Sequence, residues 1–220
     1  MGRSFYNCKT LHLRLLDANQ PNENFMVVPV PKMSFVGPFA KCKSQAEARA
    51  LLREKVAKKG HKAILKDSNL KDLELLRETG SDLNILTYAF NYKVNGQWNQ
   101  NLKEVNAFNK LIYDRVGIKA DGRDIYNYRV IVSTTDFIKK TYGEVFFDDY
   151  KQRLLDLDSP VSDPEDKSIT VLRSVVMDPW ITEDLKGQPF VNTIVDELCA
   201  VVREVVQEVQ ANPSLVQQEP

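Results

Sequence analysis

Hydrophobic and polar positions alternate over residues 5–16: Leu11, Leu13 and Leu15 fall on one side, and Cys8, Thr10, His12 and Arg14 on the other. A period of two predicts a half-buried strand there. The polar run 18–24 reads as a loop. Residues 25–30 are apolar but contain Pro29 and are followed by Pro31. Proline removes a ladder donor, so this strand is expected at a sheet edge. The clearest strand signal spans 83–94, where Leu86, Tyr88, Phe90, Tyr92 and Val94 share a face and Asn95-Gly96 follows. Asn-Gly between extended segments predicts a hairpin, here with a short return strand. A third alternating run covers 125–133 through Tyr126, Tyr128, Val130 and Val132, and an apolar run covers 168–177.

Other segments carry helical spacing. Ser44-Gln45-Ala46-Glu47 is a capping box, followed by Ala48, Leu52 and Val56 every four residues, with Gly60 as the stop. A short helix is predicted over 70–78, with Leu70, Leu73 and Leu75 or Leu76 inward. The segment beginning Asn101-Leu102-Lys103-Glu104 predicts a helix whose inner face is Val105, Phe108, Ile112 and Val116, ended by Gly117. Thr134 or Thr135 is expected to cap a long helix to about residue 157, buried through Tyr142, Phe146, Tyr150 and Leu154. An acidic, proline-bearing loop follows over 156–166. The last helix is expected from about 188 to 210. In it Val191, Val195, Leu198, Val202, Val205 and Val209 step at heptad spacing, and Ile194, Val201 and Val206 widen the stripe. Such a stripe serves either as packing on the chain's own sheet or as a seam between subunits. Residues 211–220 read as a disordered tail, leaving 1–210 as a single domain. The pattern adds up to an α+β fold: a mixed, mainly antiparallel sheet, helices packed on one face, and a long amphipathic C-terminal helix.

Composition narrows the setting. The chain has 220 residues, 43% of them hydrophobic, enough to bury a core without staples. Cys8, Cys42 and Cys199 are odd in number and widely spaced, with no Cys-x-x-Cys. Free thiols of this kind fit a reducing compartment, the cytoplasm by default. No signal peptide is visible, and no stretch of 18 apolar residues predicts a membrane span. Gly2 is no myristoylation site, because Tyr6 stands where Ser or Thr is required.

The formal net charge is zero, but it hides a split. Residues 1–140 carry 24 Lys and Arg against 14 Asp and Glu; residues 141–220 carry 6 against 16. The basic extreme is residues 41–66. There Lys41, Lys43, Arg49, Arg53, Lys55, Lys58, Lys59, Lys62 and Lys66 face only Glu47 and Glu54. Three uses fit: a solvated face, a polyanion contact that releases counterions, or a surface for an acidic protein partner. The stretch has no interleaved aromatics on which bases would stack.

No catalytic constellation is visible. Two histidines, His12 and His61, are too few for a His-rich metal site. On a strand, Cys8 and His12 would lie about 13 Å apart, too far to share a metal. Gly-x-Ser-x-Gly, Gly-x-Gly-x-x-Gly and P-loop patterns are absent. The loop 156–166 lacks the order of a calcium loop. Asp178 ends an apolar strand, where metal ligands are sometimes found, but no partner carboxylates are evident, and a turn or cap role is expected. Asp121-Gly122-Arg123-Asp124 is turn chemistry. No metal and no cofactor are therefore expected. The class these features favour is a non-enzymatic assembly or interaction subunit: a homo-oligomeric ring or tube, or a component of a larger complex such as a virus particle. Its partners would be copies of itself or other protein subunits, in the cytoplasm or at the intracellular site of virus assembly. A nucleic-acid-binding module using residues 41–66 is the second class, and an enzyme with a site assembled from scattered residues is the third.

Overall fold

The first element departs from the alternation. A computed structural model, which describes residues 2–32, 37–57, 59, 61–64, 66, 70–81, 83–118, 124–161, 163–177 and 190–217, makes Gly2–Asp17 a helix, α1. Leu11 and Leu15 are one helical turn apart, as are Cys8 and His12. Leu13 and Leu16 fill a second face, and all six of these residues are buried. A helix apolar around much of its circumference is a buried helix, and its leucines satisfy a period of two by coincidence. The remaining elements are β1 (Phe25–Pro29), α2 (Gln45–Leu52), α3 (His61–Ile64), α4 (Leu70–Arg77), β2 (Ile85–Val94), β3 (Gln97–Trp98) and α5 (Leu102–Val116). They are followed by β4 (Ser133–Ile138), α6 (Lys139–Tyr142), α7 (Glu144–Leu155), β5 (Ser168–Val175), α8 (Phe190–Ala211) and α9 (Ser214–Gln217).

The chain divides into two compact units: residues 1–18, 31–86 and 175–196 form one, and residues 19–30, 87–174 and 197–220 the other. The first is helical. Ser44 caps α2 by accepting from the Glu47 amide at 3.2 Å, and Glu47 reaches back to the Lys43 amide at 2.7 Å. Beyond Leu52 the helix widens into a π-helical turn over Arg53–Ala57. Ala48, Leu52 and Val56 point inward as their spacing predicts, onto Leu13, Leu16, Phe39, Ile64, Leu75 and Leu76. Lys9 on α1 is buried and donates to the carbonyls of Arg77 at 2.7 Å and Thr79 at 2.9 Å. Those carbonyls lie at the end of α4, where a cation complements the helix dipole.

The second unit is built on the sheet, whose order is β1-β2-β5-β4 with β3 paired to β2. β1 runs antiparallel to β2 in the register Phe25↔Tyr92 to Pro29↔Tyr88 and lies at the edge, as its prolines predict. Asn95 (φ 52°) and Gly96 (φ 82°) make the tight turn into β3, where left-handed conformations match strand twist. Both faces of β2 are buried from Tyr88 to Tyr92. The expected polar face is occupied by Ala89, which packs with Val105, Phe147, Tyr150 and Ile169, and by a hydrogen-bonded Asn91. On α5, Asn101 caps the amides of Lys103 and Glu104, and Gly117 ends the helix. The fold is α+β with a five-stranded antiparallel sheet and a 22-residue C-terminal helix.

The region 125–155 differs from expectation. Ile125–Asn127 is a single 3-10 turn with Tyr126 exposed, and the strand is Ser133–Ile138. Thr134 and Thr135 are not caps. They pair with Leu172 and Val171 of β5, a setting that suits β-branched side chains. The helix starts only at Lys139 and breaks at Gly143, whose φ is 87°. Tyr150 and Leu154 are buried as predicted, but Tyr142 is half exposed and Phe147 takes the core place expected of Phe146. All six residues of the heptad stripe on α8 are buried within the chain itself. In the second unit α8 is held by Arg203 to Glu23 (2.6 Å), Arg129 to Glu204 (3.1 Å) and Arg115 to Glu208 (2.6 Å). Residues Ser214–Gln217 form a further helical turn that buries Val216 against α5.

Candidate functional site

The helical unit holds a hollow lined by Leu13, Leu16 and Asp17 of α1, by Arg49 and Leu52 of α2, and by Arg53 of the π-helical turn. It is partly open to solvent and has room for about one water molecule. Arg49 and Arg53 stand four residues apart, so they share a helix face. The Arg53 Nε donates to an Asp17 carboxylate oxygen. The Arg49 Nε is buried and has no hydrogen-bond partner among the described residues. Burial alone lowers the pKa of the Arg49 guanidinium. Arg14 is also lowered by burial, and the charges of Asp17, Asp196 and Tyr6 oppose that shift.

A second polar group lies in the same unit. His12 is fully enclosed, and neither ring nitrogen has a partner among the described residues. Burial, with the Lys9 charge adding to it, lowers its pKa to about 3, so the ring is neutral at pH 7. Gly80, at φ 75°, makes room for that ring. Burial raises the Cys8 thiol to about 11 despite the neighbouring Lys9, so it is not poised as a thiolate nucleophile. Cys8 and His12 sit one helical turn apart rather than along a strand, and among the described residues no three His, Cys, Asp or Glu side chains gather around a common point.

The basic residues singled out in the sequence do not form one surface of free charge. Lys41 and Lys43 are exposed. Lys55 pairs with Glu54 at 2.9 Å, Lys59 with Asp72, and Arg53 with Asp17. Lys58, the Lys62 side chain, Asp121-Gly122-Arg123 and Asp178 lie outside the described residues. Asp166 of the acidic loop accepts from the buried Lys151 at 2.7 Å. Asp17 falls between the expected strand 5–16 and the polar run 18–24, and nothing in its local sequence points to a site. The four-residue interval between Arg49 and Arg53 was the available signal.

In the sheet unit, buried polar side chains serve the backbone. Asn109 accepts from the Phe90 amide and donates to the carbonyls of Phe90 and Val105, each at 2.8 Å. Asn91 donates to Asn99 and Leu154 carbonyls at 2.9 Å. The Asn99 amide reaches the Tyr92 hydroxyl at 2.9 Å and Glu104 at 2.8 Å. Tyr88 and Ser174 share a hydrogen bond of 2.8 Å, and burial raises the Tyr88 phenol well above its ordinary range. These are framework contacts.

Residues 58–201, well over half of the chain, match the family model described as tyrosine decarboxylase, C-terminal. The chain belongs to the tyrosine decarboxylase C-terminal family. No curated protein matches it. Family membership overturns the expectation of a non-enzymatic assembly subunit: the relationship is to an enzyme family. The sequence carries no reaction-centre motif, and belonging to this family does not require one in the matched segment. The family match runs from just before α3 into α8 and so takes in the whole of β2 to β5. Asp17, Arg49 and Arg53 lie outside the matched segment.

Proposed function

We propose that this chain acts as the C-terminal part of a tyrosine-decarboxylating enzyme. In that reaction the bond from Cα to the carboxylate carbon of tyrosine breaks, carbon dioxide leaves, and a proton takes its place on Cα, giving tyramine. The observation that carries the reading is the family match over residues 58–201. The polar contacts described in the sheet unit agree with a supporting role. Asn91, Asn99 and Asn109 are committed to holding β2, its return strand and α5, and Tyr88 and Tyr150 are phenols that burial keeps protonated. Groups engaged in this way shape and brace a domain rather than move protons at a substrate. The bond-breaking groups then belong to the remainder of the enzyme, whether in the same polypeptide or another. Three cysteines without a disulfide support work in a reducing compartment, the cytoplasm. No described helix is long and apolar enough to cross a membrane.

The test is a chimera. The C-terminal region of a characterised tyrosine decarboxylase is deleted, and this chain is fused in its place. Tyramine formation is expected to be lost on deletion and restored by the fusion, while the chain alone releases no carbon dioxide from carboxyl-labelled tyrosine. A soluble, folded chimera that remains as inactive as the deletion overturns the reading.

A further inference from the structure

We propose that two copies of this chain associate through β4, edge to edge and antiparallel about a twofold axis at Thr135, so that their sheets become continuous.

The two edges of the sheet are finished differently. On β1, the Lys93 amide donates to the Asn24 carbonyl and the Val30 amide to the Thr87 carbonyl. These bonds fix the alternation: even-numbered residues bond to β2, and Phe25, Val27 and Pro29 turn their backbone groups outward. Asn19 closes Val27, donating to its carbonyl at 2.8 Å and accepting from its amide at 2.7 Å. Pro29 has no N–H, and Arg153 donates to its carbonyl at 2.9 Å. On β4, the Lys139 amide donates to the Lys167 carbonyl at 2.9 Å. In the register Ser133↔Arg173 to Ile138↔Ser168, the odd-numbered residues therefore bond to β5, and Thr134, Asp136 and Ile138 turn outward. Among the described residues nothing hydrogen-bonds to the amides and carbonyls of Thr134 and Asp136. β4 also lacks the common guards of an edge: it contains no proline or lysine, and its register is unbroken. Its one charged residue, Asp136, accepts from the Thr170 hydroxyl at 2.8 Å, which draws the carboxylate toward β5 and away from the edge.

What selects a second copy as the occupant is the fit of this edge to itself. Antiparallel partners set outward residue against outward residue. With Thr135 on the axis, Thr134 of each copy faces Asp136 of the other, and each such pair exchanges two amide–carbonyl bonds. Other registers fit less well. An axis at Asp136 sets like charges directly opposite each other. An axis at Thr134 calls on Val132, whose amide is given to the Val116 carbonyl at 3.3 Å. An axis at Phe137 calls on Ile138, the N-cap of α6, whose carbonyl starts that helix. The register at Thr135 also brings apolar surface together. Ile131, 43% exposed and just before β4, comes alongside the end of β4 in the other copy, where Ile138 (48%) and Tyr142 (49%) are exposed. A contact of this length buries little surface, so the dimer is weak and concentration-dependent. Being isologous, it closes at two copies. The inference needs only the edge of β4 and does not rest on the decarboxylase reading.

The experiment is sedimentation equilibrium of the full chain from about 1 µM to about 1 mM, the range of weak pairs. A monomer–dimer equilibrium is expected. Thr134→Pro removes an outward amide and none of the backbone bonds to β5, and should raise the dimer Kd by about tenfold or more. Thr135→Cys puts two thiols at the axis, in a non-hydrogen-bonded pair with Cα atoms about 4.5 Å apart, within disulfide reach. Mild oxidation should cross-link that variant into dimers. Asp136→Cys should cross-link at least about tenfold more slowly, because its copies stand diagonally, about 7–8 Å apart. A chain that stays monomeric at the highest concentration overturns the proposal. So does a dimer unaffected by Thr134→Pro, or one in which Thr135→Cys cross-links no faster than Asp136→Cys. Should Thr134→Pro fail to fold, the two cysteine variants decide.

Discussion

In the sheet unit the asparagines of β2 and α5 are buried with their amides bonded to backbone, whereas in the helical unit His12 and the Arg49 Nε are buried with no partner among the described residues. The contrast follows from what each unit is made of. Strand edges and helix ends present backbone groups that need partners, and Asn91, Asn99, Asn101 and Asn109 meet them. Helices α1 and α2 satisfy their interior backbone internally, so a polar side chain packed between them finds no ready acceptor. The sheet unit is therefore a tightly determined framework. The helical unit stores unfavourable polar burial, which leaves it sensitive to volume and pH.

The largest effect is expected from Gly80→Ala. The added Cβ would overlap the His12 ring, and φ of 75° is strained for any residue with a side chain. Overpacking and backbone strain together should cost about 3–4 kcal/mol, measured by urea unfolding. A loss under about 1 kcal/mol would mean that the His12 pocket yields easily and that the helical unit is loosely packed.

Asn109→Ala probes the opposite unit. It removes the partner of both backbone groups of Phe90, two buried polar groups, at a cost of about 3 kcal/mol. Hydrogen exchange should show the Phe90 amide deprotected before its neighbours. A neutral outcome would show that water replaces the side chain and that the unit is less determined than its hydrogen bonds indicate.

The smallest of the three is a pH effect. The folded-state pKa of His12 is lowered to about 3 from an ordinary value of 6.5. Above pH 6.5 neither state binds the proton. As pH falls below 6.5 the unfolded chain is protonated while the folded one is not, so stability is lost progressively down to about pH 3. At pH 5 the loss is about 2 kcal/mol. His12→Met should remove this dependence: its stability relative to wild type should rise between pH 6.5 and 3 and level off below. Parallel stability curves for the two proteins would show that His12 is not buried neutral.

The sequence by itself determined those elements whose signals are local. The capping box at Ser44, the Asn95-Gly96 turn, the cap at Asn101, the four-residue spacing of Ala48, Leu52 and Val56, and the edge position of the proline-bearing β1 are all dictated by backbone chemistry within a few residues, and the structure has each of them. Tertiary structure alone decided the rest. The leucines of α1 fit two periodicities, and only burial on more than one face selects the helix. Thr134 and Thr135 suit a cap as well as a strand, and pairing with β5 makes them strand. The charges of residues 41–66 read as a basic surface until Asp17 and Asp72, from outside that stretch, stand beside Arg53 and Lys59. Spacing along the chain reports which residues share a face. It carries no information about which distant group stands opposite, and the hollow at Arg49 arises from that opposition.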